Sequence, residues 1–166
     1  MVIEPPNRSS MWRYQKEFPQ VPFPQNYQDN QEFCGGFQVQ FEQNDGKCGI
    51  CGDDYGQARP RDNEHGGKYG LGIIARQYYE DSNIQVIVKI TASHKGQFTF
   101  SLCNMDVEEE SEECFERNPL KLINGSDSFH VDKDLVTEYP VYLSLPKGLT
   151  CEHCVLRWQY RAGKYF

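Results

Sequence analysis

No stretch of this chain is apolar for long enough to cross a membrane as a helix, and it opens without the basic segment and apolar run of a secretory signal. The sequence therefore carries no export signal of its own, as a chain that had already lost one would also read. A basic face is missing too. Its 17 Lys and Arg stand against 24 Asp and Glu, for a net charge of -7. That balance excludes the electrostatic footprint of a nucleic-acid binder. No internal repeat is visible, and no long helical pattern. Pro at positions 5, 6, 19, 22 and 24 keeps the first 31 residues out of any long helix. They read as an extended, wrapping segment pinned by Trp12, Tyr14, Phe18, Phe23 and Tyr27.

What is present is cysteine. Seven Cys in 166 residues suggests oxidising surroundings, and the odd count leaves one thiol whose partner lies elsewhere or is absent. Asn7-Arg-Ser9 and Asn124-Gly-Ser126 fit the glycosylation acceptor pattern, which matters only in a secreted chain. The length suffices for one domain with a real core, so residues 1–166 are expected to form a single, monomeric domain.

Alternation marks the strands. Ile84, Val86, Val88 and Ile90 share one face, and Phe98, Phe100 and Leu102 share another. The short link from Ala92 to Gln97 predicts an antiparallel hairpin of these two. Val141–Leu145, Val155–Tyr160 and Phe37–Phe41 read as further strands, and residues 44–70 as a long, stapled loop. A short helix is conceivable around Phe115–Leu122. The run Glu108–Glu113 reads as a solvated acidic loop. Short strands separated by turn signals predict an all-β, antiparallel sandwich of immunoglobulin or fibronectin type with long disulfide-stapled loops.

The cysteines admit two readings. Cys48-x2-Cys51 and Cys151-x2-Cys154 have the spacing of a zinc ribbon, in which each pair gives two thiolates to one ion. An intracellular, zinc-stapled interaction domain would follow. The disulfide reading explains more, because it also uses Cys34, Cys103 and Cys114. Cys103 and Cys114 flank the acidic run, where a bridge would contribute roughly 2–3 kcal/mol in the chain-entropy model.

Five separated stretches then recur together, in order, in one family: Glu4–Arg13, Asn26–Asn30 with Phe33–Phe37, Cys48–Tyr69, Thr91–Gly96, and Cys151–Trp158. Over nearly its whole length the chain resembles the type-4 chitin-binding domain, specifically the insect-type lytic polysaccharide monooxygenases. The resemblance implies secretion, disulfides and one copper ion held by a histidine brace. Its ligands are the amine and imidazole of an N-terminal His, the imidazole of a second His, and an axial tyrosine near the C-terminus. It implies oxidative cleavage of chitin, or of cellulose, with an external electron donor and oxygen or peroxide. Imidazole and amine nitrogen suit both copper oxidation states.

Position by position, His94 matches the second brace histidine, and so the catalytic metal ligand, and Ala92 the small residue beside the axial position. The family begins His-Gly, a few residues before an acidic residue and Pro-Pro. Here Met1-Val-Ile-Glu4-Pro5-Pro6 places Met1 at the third mature position, and a further Cys and the axial tyrosine are expected beyond Phe166. The chain thus reads as trimmed at both ends. Tyr160 and Tyr165 fall too early for the axial role, and Tyr160 alternates with Trp158 and Leu156 on the core face. His65, His130 and His153 read as bystanders, and Trp12 and Trp158 as core. Tyr14 and Tyr27 are the candidate substrate contacts. A non-catalytic chitin-binding module without the copper brace is the alternative.

Overall fold

The computed structural model describes residues 1–132 and 137–163. They form two compact units: Met1–Pro5 with Ile74 onward, and Pro6–Ile73.

The first unit is the sandwich. Its strands are β1 (Val2–Glu4), β2 (Asn83–Lys89), β3 (Gly96–Asn104), β4 (Pro119–Leu122), β5 (Phe129–Val131), β6 (Glu138–Ser144) and β7 (Cys154–Ala162). All pairings are antiparallel, in the order β1-β2-β6-β4-β3-β5, with β7 on the other side of β3. Strand β4 serves both layers: Leu120 faces Phe100 of β3, and Leu122 faces Leu143 of β6. Alternation decides what is inside. Ile84, Val86 and Val88, then Phe98, Phe100 and Leu102, then Tyr139, Val141 and Leu143 are buried together. Phe98 is fully buried at the centre, with Phe129, Tyr139, Trp158 and Tyr160 around it at centroid distances of 5.9, 5.7, 5.4 and 5.2 Å.

The expected hairpin of the two clearest strands does not form. Strand β2 pairs with β1 and β6, while β3 pairs with β4, β5 and β7. Residues 91–95 cross between layers instead. Each strand buries one face, and joining them by a crossing lets Val86 and Phe98 meet in one core rather than lie side by side in one sheet.

The short helix also differs from expectation. Helix α1 spans Glu112–Arg117, and Pro119–Leu122 is strand. The hydroxyl of Ser111 caps it by accepting from the Cys114 N–H, and Asn118 before Pro119 is biased away from helix. The acidic run is therefore not merely solvated. Glu112 and Glu113 sit in the first turn, Glu110 is buried, Glu108 pairs with Arg117, and Glu112 takes a 2.6 Å bond from Arg157. Cys103 and Cys114 are bonded and bury beside Phe115.

The second unit has almost no apolar core. Met11 is its one buried hydrophobic side chain among the described residues, whereas Ser9, Ser10, Asp29, Asp53, Arg61 and Glu64 are all buried. A seven-residue 3-10 helix, Arg8–Tyr14, interrupts the expected extended segment. Phe37–Phe41 is not a strand: Gln38–Gln43 is one π-helical turn, with the rings of Phe37 and Phe41 5.0 Å apart. The two phenylalanines stand four apart, which is helical spacing as well as alternation. Nothing offers this segment a partner strand, and the Cys34–Cys48 bridge closes the loop around it.

Carboxylates take the place of the missing core. Asp29 accepts from Trp12 Nε1 and from two nitrogens of Arg13 at 3.1, 2.6 and 3.0 Å. Burial alone would raise the Glu64 carboxyl, but the Arg61 N–H and the Arg59 and Arg61 guanidinium groups outweigh it and hold the group below the usual range. Glu32 is hydrogen-bonded instead by the neutral Asn7 and Ser9. Burial pushes it from 4.5 to about 7, against the hydrogen bond with Ser9 and with Asp53 and Asp29 adding to the rise. Asn7 Nδ2 also donates to its Oε1 at 3.2 Å.

Between pH 4.5 and about 7 the folded chain therefore keeps a proton on Glu32 that the unfolded chain has released. Stability should fall as pH rises through that window and level off above it. Glu32→Gln, neutral throughout, should remove this slope. Denaturant titrations of both proteins across the window test it, and parallel curves would refute the assignment.

Candidate metal centre

Strand β2 ends at Lys89, and the chain crosses the open end of the sandwich through residues 91–95 before entering β3 at Gly96. Thr91, Ala92, His94 and Lys95 are exposed there. His94 thus sits in a crossing link, not in the expected hairpin turn. Its main chain is nonetheless held. The His94 N–H donates to Tyr160 Oη at 2.9 Å, and the same hydroxyl donates to the Lys95 carbonyl at 2.6 Å. The Gly163 N–H donates to the carbonyls of His94 and Lys95 at 3.1 and 3.2 Å.

The link turns into β3 through two left-handed residues, Lys95 (φ 51°) and Gly96 (φ 101°). A Cβ on Gly96 would lie 2.1 Å from the Arg161 carbonyl oxygen. Only glycine lets β3 and β7 approach there.

The first strand starts at the same end. The Met1 amine donates to the Lys89 carbonyl at 2.8 Å, and the Lys89 N–H donates to the Met1 carbonyl at 2.8 Å. Val2 faces Val88, so β1 runs back along β2 from the edge of the His94 link. Glu4 closes the strand with a two-pronged pair to Arg76, at 2.8 and 2.9 Å. The acidic residue before Pro5-Pro6 thus has a structural role that its sequence position did not disclose.

As for a metal, an exposed imidazole is a suitable copper donor. No group of three His, Cys, Asp or Glu among the described residues could hold an ion. Among the described residues, then, side chains alone do not build a metal site at this end, and His94 contributes one imidazole there.

Of the other sequence candidates, Tyr160 touches the His94 main chain, and His130 lies in a groove that Lys95 also lines. His130, exposed on β5, lines a shallow groove with Lys95, Gln97, Asp132 and Arg161. The half-buried His153 lies between bonded cysteines, its N–H on Asp106 at 3.0 Å. His65 is exposed in the second unit. Tyr160 is half-buried against the core, and Tyr165 lies outside the described residues.

In the second unit Tyr27 is 77% exposed, its ring edge-on to Trp12 at 5.4 Å, while Tyr14 is half-buried. Trp12 carries the Arg13 guanidinium over its ring at 4.4 Å. Sequence reasoning missed the exposed Phe33, Phe37 and Phe41, whose helical spacing was the available signal.

The zinc alternative is excluded. Cys48 is bonded to Cys34 and Cys151 to Cys154, so neither C-x2-C pair offers two thiolates. Cys51 Sγ instead accepts from Arg8 Nη1 at 3.5 Å.

The first unit is an immunoglobulin-like sandwich whose first strand starts opposite Lys89, at the edge of the link that carries the exposed His94. The family model described as lytic polysaccharide mono-oxygenase, cellulose-degrading, matches residues 1–165. A solved structure, the lytic polysaccharide monooxygenase AA15 from Thermobia domestica in the Cu(I) state, is similar with a TM-score of 0.91. Its sequence is 43% identical over 99% of this chain and 84% of that one. No curated protein matches the chain. The chain belongs to the lytic polysaccharide monooxygenase family, whose chemistry is copper-dependent oxidative cleavage of polysaccharide with an external reductant and oxygen.

Gly96→Ala should destabilise by at least about 1–3 kcal/mol, from the left-handed backbone alone, and should displace the amide resonances of His94 and Gly163. A denaturant titration with amide spectra checks both. Wild-type stability would mean that the β3–β7 approach is looser than described.

Proposed function

We propose that this chain oxidatively cleaves chitin, with His94 as the imidazole ligand of a single copper ion. The observation that carries the reading is the shared edge. The backbone pairing of Met1 with Lys89 brings the first strand to within five residues of His94 along the chain. A histidine preceding this strand would bring its amine and imidazole to the same end of the sandwich. Ala92, small and exposed, would leave one side of the ion open.

Bound copper would supply one-electron redox chemistry and activation of oxygen or peroxide toward a glycosidic C–H bond. The chain's own part is to hold the imidazole on a fixed main chain at an exposed end, where a flat, crystalline substrate can reach it. Chitin is preferred over cellulose on the ordered stretches shared with the type-4 chitin-binding domain. Tyr27 is the more accessible of the two tyrosine contacts.

The disulfides suit an oxidising, extracellular setting. Of the glycosylation acceptors, Asn124 is exposed, whereas Asn7 Nδ2 is engaged with Ser9 and Glu32.

Copper titration separates the contributions. With His-Gly placed ahead of Met1, Cu(II) affinity should rise by several orders of magnitude over the chain beginning at Met1, because one imidazole makes no brace. Equal affinity would sink the assignment.

In the His-Gly form, His94→Ala should abolish release of oxidised oligosaccharides from chitin given reductant and peroxide. Stability should change by less than about 0.5 kcal/mol, since an exposed side chain leaves no cavity. Chitin pull-down should persist. Oxidised products at the wild-type rate would show that His94 is not the ligand, and binding without products from either protein would favour the non-catalytic module.

A further inference from the structure

We propose that Tyr160 is a positioning residue for His94: its hydroxyl fixes the main chain from which the metal-binding imidazole projects. The inference rests on the reading of His94 as a copper ligand.

Metal-binding imidazoles are commonly oriented by a hydrogen bond to their second ring nitrogen. Among the described residues, His94 has no such bond; its hydrogen bonds are all made by its main chain. What the structure holds is the backbone from which the ring projects, and with it the direction of the His94 Cα–Cβ bond. The His94 N–H and carbonyl are both engaged, the first by Tyr160 and the second by Gly163. One hydroxyl acts twice, accepting from His94 and donating to Lys95, so it spans the peptide that leads into the left-handed Lys95-Gly96 turn.

The phenol is itself immobile. Its ring packs edge-on against Phe98 at 5.2 Å and is stacked with Trp158 at 6.2 Å. Strand register places Tyr160 opposite Phe98, two residues before Ala162 pairs with Gly96. The side chain therefore rises from the core to the open end beneath the link. A core residue with a hydroxyl at its tip transmits core rigidity to an exposed ligand, which no surface contact could do.

Tyr160→Phe removes both hydrogen bonds and keeps the ring; Tyr160→Leu also removes the ring packing. In the chain beginning at Met1, without metal, Tyr160→Phe should leave the melting transition nearly intact. It should accelerate hydrogen exchange of the His94 amide about tenfold, the equivalent of one net hydrogen bond. In the His-Gly form it should weaken Cu(II) binding about tenfold, by the same loss, and give a broadened, heterogeneous Cu(II) electron paramagnetic resonance spectrum.

Wild-type exchange and spectrum in Tyr160→Phe, with a change only in Tyr160→Leu, would overturn the proposal in favour of plain packing. His94→Ala keeps the two failures apart. If it alters the Cu(II) spectrum while Tyr160→Phe does not, only the positioning role falls. An unaltered spectrum in His94→Ala overturns the ligand reading and the positioning role with it.

Discussion

The burial of Phe98 is the contact on which the remaining geometry depends. Among the described residues it is the one side chain that meets aromatic rings from β5, β6 and β7 at once. Those edge-on and stacked contacts add to the area it removes from water, and they set the register of β3 against β7. That register brings Gly96 against Arg161 and Ala162, and Tyr160 beneath the His94 link. An exposed loop of five residues would otherwise sample many conformations, each costing entropy to suppress. Here the suppression is already accomplished by the core.

The sandwich was legible because its strands bury one face each. Period-two alternation located β2, β3, β6 and β7 and named their inward residues. What alternation cannot encode is which strand lies beside which. The link between Ile90 and Gln97 is as short as a hairpin loop, and length alone does not separate a return within one layer from a crossing to the other. Strand β4 escaped notice for a related reason: four residues after a capped helix carry too little pattern, and it is read only once both neighbours are known. His94 was singled out by its surrounding motif. Its support was not, since Tyr160 is 66 residues away and reads as an ordinary core tyrosine.

The second unit failed differently. Period and propensity describe chains that fold by burying apolar surface, and Pro6–Ile73 buries almost none. Its order comes from the Cys34–Cys48 bridge and from carboxylates that gather arginine and asparagine donors. Satisfied networks of this kind specify one conformation because a buried carboxylate without its partners is costly. Asp29 and Glu64 have arginine partners, whereas Asp53 and Glu32, whose hydrogen bonds come from neutral donors, meet burial by shifting toward the protonated form. Sequence cannot show this, because a paired and an unpaired glutamate are the same letter.

The two ways of making order bear on where an oxidising metal can be placed. A ligand that must meet a solid substrate has to be exposed, and exposed side chains are normally the least ordered. With His94 as the proposed ligand, the sandwich would resolve the conflict by fixing the backbone and leaving the ring outside. The His94 N–H is tied to β7 and its carbonyl to Gly163 just beyond it, while the exposed imidazole makes no hydrogen bond among the described residues. The position of the ring's attachment then comes from a held peptide and not from a shell of hydrogen-bonding groups around the ring. Such a shell would cover the face that the substrate must approach. Holding the proposed ligand from below would keep that face open, and it would require what β7 supplies at Tyr160: an aromatic ring long enough to pack on the core and still reach the link with its hydroxyl.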